Sequence, residues 1–192
     1  MNRRTFSRML LLATLGISLP QSGCNIIADL INYIPWIIRA LNSIQSILGS
    51  FMPPGAVTVL SIIMGALADM QGALVQYQND PIPADKANLL ARIKTFLRDI
   101  GDNFQLFLNA LGPLGVIPTV IIGIIEVVLS TLGWFSGNLP ASTTVAAMPM
   151  PMTLRATSEI LYITPTKRSL KQFKQDFNSV VITGGHSEQV MY

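Results

Sequence analysis

Apolar residues recur along much of this chain at alternating spacings of three and four, a rhythm that predicts helices. From Asn25 to Met52, the residues Ile27, Leu30, Ile34, Ile37, Leu41, Ile44, Leu48 and Phe51 form one seam, and Asp29, Asn32, Arg39, Asn42 and Ser46 lie away from it. Pro35 interrupts the segment, so the helix either kinks there or begins there after a short turn. Pro53-Pro54-Gly55 closes it. Ala56 to Asn79 predicts a second helix of different character, with Thr58, Ser61, Gly65, Asp69, Gly72 and Gln76 forming a small or polar stripe opposite Val, Leu, Ile and Met. Asn79 to Pro83 is a turn that opens a third helix, Ala84 to Leu111. Leu89, Ile93, Phe96, Ile100, Phe104, Phe107 and Leu111 line one of its faces, with Lys86, Arg92, Arg98, Asp99, Asp102 and Asn103 around the rest. Ile117 to Phe135 predicts a fourth, very apolar helix with a single charge, Glu126, at its centre.

After Gly137 to Pro140 the pattern breaks. Ala141 to Thr153 is a low-complexity run without core periodicity and reads as a linker. Beyond it, Glu159 to Thr164 has the makings of a short strand. Thr166 to Ile182 predicts a helix with Leu170, Phe173, Phe177 and Val181 on one side, flanked by Lys167, Arg168, Lys171 and Lys174. Gly184-Gly185 ends it, and the residues beyond are expected to fray. The expected fold is all-α. An antiparallel four-helix bundle-like domain spans residues 24–139, followed by an Ala/Met/Pro/Thr linker (140–153) and a small, mainly helical, amphipathic tail (154–192).

The first 24 residues follow another logic. Arg3, Arg4 and Arg8 precede an apolar run, Met9 to Leu19, which is too short to cross a hydrocarbon core of about 30 Å but suits a signal peptide. Asn2 to Arg8 resembles the bacterial twin-arginine signal in Arg3, Arg4 and Phe6, and differs from it at Asn2 and Ser7. Gln21-Ser22-Gly23-Cys24 is similar to a lipoprotein cleavage box, with Ser22 and Gly23 fitting and Gln21 standing where Leu is usual. This resemblance covers residues 1–24 only. It implies a signal peptide over residues 1–23 and diacylation of Cys24 as the new N-terminus. The protein is then exported and anchored in the cell envelope, on the periplasmic or extracellular side of a membrane. A plain secretory signal and an uncleaved anchor are the alternatives.

The signal also accounts for the apparent basicity. Of 13 Lys+Arg, three lie in the signal, so ten basic groups remain against ten acidic ones. A balanced chain offers no electrostatic case for nucleic acid. One cysteine permits no intramolecular disulfide, so burial must carry stability. Half the residues are apolar and only 12 % are charged, against a usual quarter.

Raw material for catalysis is sparse. His186 is the single histidine, in a Gly-Gly-His near the C-terminus, and reads as solvated. Asp99 and Asp102 read as solvated positions of an amphipathic face. No phosphate loop or nucleophile elbow is present, so no catalytic residue and no cofactor is nominated. Met148, Met150 and Met152 place three thioethers in five residues, a soft set suited to Cu(I), with no His or Cys near in sequence to complete it. Glu126 and Asp69 are the candidate intramembrane or buried polar residues.

The function expected from this reading is a non-enzymatic envelope lipoprotein, a structural or interaction module tethered at Cys24. The competing expectation is a membrane-inserting protein, with helices 56–79 and 117–135 in the bilayer and Glu126 facing a bundle interior. A third is a carrier of a small apolar ligand, in which Gly65, Gly72 and Gly123 either tighten packing or leave space. The partners considered are the membrane through the lipid, and an envelope protein or anionic lipid through the basic tail. The tail can also dock back on the helices, since residues 25–139 carry five basic and seven acidic groups and residues 140–192 carry five and three.

Overall fold

A computed structural model of the chain describes residues 22–79, 83–138 and 152–192. These residues form five helices and a two-stranded antiparallel sheet, so the protein is mainly helical but not all-α.

Helix α1 (Ser22–Leu48) carries the predicted seam. Ile27, Leu30, Ile34, Ile37, Leu41 and Ile44 are all buried. Pro35 neither starts nor stops it. Its ring lies on an exposed position, so the hydrogen bond that proline cannot donate is lost on the wet side of a helix whose other side is fixed by packing. The seam fails only at its end. The helix stops at Leu48, a 3-10 turn follows (Gly49–Phe51), and Phe51 swings out to 91 % exposure.

Helix α2 (Pro54–Asn79) packs on α1 and on α3 (Pro83–Leu111). It buries Ala56, Leu60, Ile63, Leu67, Met70 and Leu74. Helix α4 (Thr119–Asn138) is the interior helix: it touches α1, α3, the sheet and α5, and twelve of its 20 residues are buried.

The C-terminal residues depart most from expectation. Strands β1 (Met152–Ala156) and β2 (Glu159–Ile163) pair in a tight hairpin, Leu154 opposite Leu161, with Thr157 at φ 57° in the turn. Leu154 and Ala156 face inward while Thr153 and Arg155 face water, the alternation of a half-buried strand. The stretch read as a linker therefore ends in strand at Met152 and Thr153; residues 140–151 lie outside the described residues. The hairpin lies along α3. The Arg155 amide donates to the Gln105 side chain, the Thr157 amide donates to Asn109 Oδ1 at 3.4 Å, and Met152 covers Gly101. A Cβ on Gly101 would meet Met152 Cε at 3.2 Å, so the glycine that weakens α3 in isolation is where the hairpin lands.

Helix α5 (Leu170–Thr183) starts at a capping box: Ser169 Oγ accepts from the Gln172 amide, and the Gln172 side chain accepts from the Ser169 amide. Phe173, Phe177 and Val181 are buried against α4 and α1. Contact is close because glycine and valine interlock on both sides. A Cβ on Gly123 would lie 2.8 Å from Val180 Cγ1, and one on Gly184 would lie 2.7 Å from Val120 Cβ.

The last residues do not fray. Asn178 brackets Met191, accepting from its amide at 2.7 Å and donating to its carbonyl at 2.8 Å. The Met191 side chain is buried. Lys174 reaches the Tyr192 carbonyl at 2.7 Å and lies over the Trp36 ring at 3.4 Å. Leu154, Ile163, Phe173, Phe177, Val181 and Met191 belong to the same core cluster as the four preceding helices. The predicted tail completes the core rather than trailing from it.

Candidate functional site

Polar groups converge at one junction, where α1, α4, the exit of β2 and the start of α5 meet. Arg168 is at its centre, with its side chain 16 % exposed. Its Nε donates to Asp176 Oδ2 at 2.7 Å and its Nη1 to Ser130 Oγ at 2.7 Å. The Ser130 hydroxyl donates in turn to the Thr164 carbonyl at 2.7 Å, and the Thr166 amide donates to the Ser130 carbonyl at 3.1 Å. The Tyr33 hydroxyl donates to the Arg168 carbonyl at 2.5 Å from the α1 side. The Tyr33 ring stands edge-on to Phe135 and Phe173, which fixes its direction. Burial, aided by the Asp29 charge and opposed by Arg168, pushes its hydroxyl up to about 12, so Tyr33 remains a neutral donor.

Two clefts flank the junction. The larger, about 470 Å³, opens between the start of α1 and the start of α5 and is lined by Asp29, Asn32, Tyr33, Lys167 and Ser169 among others. The smaller, about 200 Å³, is bordered by Glu126, Ser130, Tyr162, Thr166 and Arg168. Glu126 thus lies on an exposed rim beside the hairpin, not in an apolar interior, although partial burial raises its carboxyl above the ordinary carboxylate value. Neither it nor Asp69 is a buried polar residue. Asp69 lies exposed on the outward side of α2, with Gly65 and Gly72.

The remaining candidates are scattered. Ser22 and Gly23 open α1, and Cys24 falls in its first turn. Arg3, Arg4, Phe6, Met148 and Met150 lie outside the described residues. Met152 is a half-buried strand residue packed on α3. His186 Nδ1 lies 3.3 Å from Glu188 Oε1, and the Glu188 carboxyl is held below its ordinary value by its own backbone amide and by His186. Arg98 lies 3.8 Å from Asp99 on the exposed side of α3. Among the described residues, no three His, Cys, Asp or Glu side chains gather to hold a metal ion.

Among the described residues, two helices are long and apolar enough to cross a membrane, and their surroundings differ. The Thr119–Asn138 window has a mean hydropathy of 1.8 and is 67 % buried, whereas Pro54–Gln76 has 1.6 and is 28 % buried. Apolarity of α4 is used inside the fold. The glycines raised for a carrier open no internal space: Gly123 is in tight contact, and nothing approaches Gly65 or Gly72 within 4 Å on the outer side of α2.

Sequence reasoning missed the Arg168 junction. A signal was present in the lone polar positions on apolar faces, Tyr33 beside Ile34 and Ser130 within α4, since a buried polar group needs a partner. The chain matches no protein-family model, and no curated protein or solved structure is significantly similar to it.

Proposed function

We propose that the chain is an exported lipoprotein of a bacterial cell envelope, acylated at Cys24. Its folded body would act as a non-enzymatic structural or interaction module, with α1 to α4 as an antiparallel four-helix scaffold. One observation carries the reading beyond the signal-like residues. Cys24 lies in the first turn of α1, and Ile27, three residues on, is already a core residue at 4 % exposure. A lipid on Cys24 would leave no spacer, so the body would sit against the membrane with α1 rising from it. The burial of α4 favours a body in water over insertion of that helix. The junction fits a structural role, because Arg168 is held by Asp176 and Ser130, and the Ser130 hydroxyl is itself engaged with the Thr164 carbonyl.

The test is the intact mass of the full chain recovered from the membrane fraction of an expressing bacterium, beside Cys24→Ala. A species starting at residue 24 with added acyl mass, absent from the variant, supports the proposal. An unmodified chain that stays in the membrane after substitution refutes it. A second reading has its own support: α2 exposes Ile62 at 53 % and Val75 at 37 %, carries no basic residue and has only 28 % of its apolar window buried, so it is the apolar helix left open to meet lipid despite the exposed Asp69. That reading predicts membrane retention by the Cys24→Ala chain.

A further inference from the structure

We propose that the cleft between α1 and α5 binds a phosphoethanolamine headgroup of a membrane lipid. The charges in the cleft set the class of ligand. Asp29 enters from α1 and Lys167 from the residues before α5. Neither is in an ion pair among the described residues, whereas Arg168, which also borders the cleft, spends its charge on Asp176. With Arg168 paired, the charges left without an ion-pair partner among the residues lining the cleft are one carboxylate and one ammonium group. A simple anion would be repelled by Asp29 and a simple cation by Lys167. A net-neutral ligand with a phosphate at one end and a primary ammonium at the other satisfies both, since an ammonium with N–H groups can donate to the Asp29 carboxylate and a quaternary one cannot. Lys167 is steadied by the Trp134 ring, 5.5 Å from its ammonium nitrogen, and Asn32 lines the cleft from the α1 side beside Asp29.

Position sets the source. Asp29 follows Cys24 by five residues on one continuous helix, an axial rise of about 7.5 Å. The polar layer of a bilayer extends about 5 to 7 Å beyond the hydrocarbon on each side. With its acyl chains in the hydrocarbon, Cys24 would place the cleft at the level of the neighbouring headgroups. The volume, about 470 Å³, accommodates such a group. The choice of a lipid as source rests on the proposed anchoring at Cys24; the binding chemistry does not.

The test therefore uses the full chain carrying Cys24→Ala in neutral detergent, titrated with sn-glycero-3-phosphoethanolamine and followed by calorimetry. Glycerol 3-phosphate and ethanolamine serve as the two half-ligands. The whole headgroup is expected to bind at least about tenfold more tightly than either half, and Asp29→Asn should remove most of that advantage while leaving glycerol 3-phosphate binding intact or improved. Lys167→Gln should weaken both phosphate-bearing probes. Both side chains are exposed, so neither substitution threatens folding. Equal binding of glycerol 3-phosphate and the whole headgroup overturns the proposal, as does no detectable binding, or no effect of Asp29→Asn. Sedimentation with phosphatidylcholine vesicles, with and without phosphatidylethanolamine, then tests the source. Headgroup binding without a vesicle preference overturns the lipid assignment. Failure of the anchor alone shows in the intact mass and leaves the titration unchanged.

Discussion

Replacing Gly184 with alanine measures whether the C-terminal helix is locked onto the core. A Cβ at that position would lie 2.7 Å from Val120 Cβ and 2.8 Å from its Cγ2. Carbon atoms in ordinary contact are about 3.5–4.0 Å apart, so about 1 Å must be found. Rotating Val120 about χ1 does not move its Cβ, which is fixed by the backbone of the interior helix α4. The end of α5 must therefore back away. Gly184 has φ −75°, a conformation alanine adopts freely, so the penalty is one of packing alone. Overpacking of this kind costs about 1–3 kcal/mol. The stiffer unfolded chain returns about 0.4–1 kcal/mol. A net loss of about 1–2 kcal/mol follows, equivalent to a Tm lower by about 2–8 °C for a chain of this size. Gly72→Ala is the control. It lies within α2 with nothing within 4 Å of its would-be Cβ, so the same change should stabilise by about 0.5–1 kcal/mol. Urea unfolding of the two variants at unchanged m reads the difference. If Gly184→Ala shifts the midpoint upward as Gly72→Ala does, α5 is not seated on α4 and the account of the C-terminal residues is wrong.

Three further outcomes are expected. Arg168→Met removes charge-assisted bonds to Asp176 and Ser130 and should cost about 2 kcal/mol by urea unfolding; an unchanged midpoint would mean the junction is not formed. Glu126 has a folded-state carboxyl value raised by burial, so its stabilising contribution is present below the unfolded value and lost as pH rises through the folded one. Glu126→Gln should therefore be slightly more stable than the parent at pH 7, with the gap closing towards acid; a gap that widens on acidification contradicts this. Asn178→Ala frees the Met191 amide and carbonyl and should lower stability by about 1–2 kcal/mol, with faster hydrogen exchange at Met191; retained protection there would refute the pinned C-terminus.

The helices were legible because their cause is local. The spacing of Ile93, Ile100, Phe104 and Phe107 declares a buried face whatever lies opposite, and the observed α3 differs from the reading by one residue at its start. Turn chemistry at Pro53-Pro54-Gly55 and around Gly112 likewise needs no partner. Strand β1 escaped notice because a strand of five residues is completed only by the one it pairs with, and Met152 and Thr153 adjoin a run with no periodicity of their own. Nor does hydropathy separate α2 from α4, whose windows score 1.6 and 1.8. Their fates diverge because the hairpin and α5 close over α4, whereas α2 is packed by α1 and α3. The candidate site is the most tertiary feature of all. Arg168 reads as one more base flanking an apolar stripe. It becomes the centre of a junction only when folding brings Ser130, 38 residues earlier, and the Tyr33 hydroxyl, 135 residues earlier, to within hydrogen-bonding distance. Periodicity determines which side of each helix is buried; which helix lies innermost, and which polar groups meet there, depends on contacts between residues far apart in the chain.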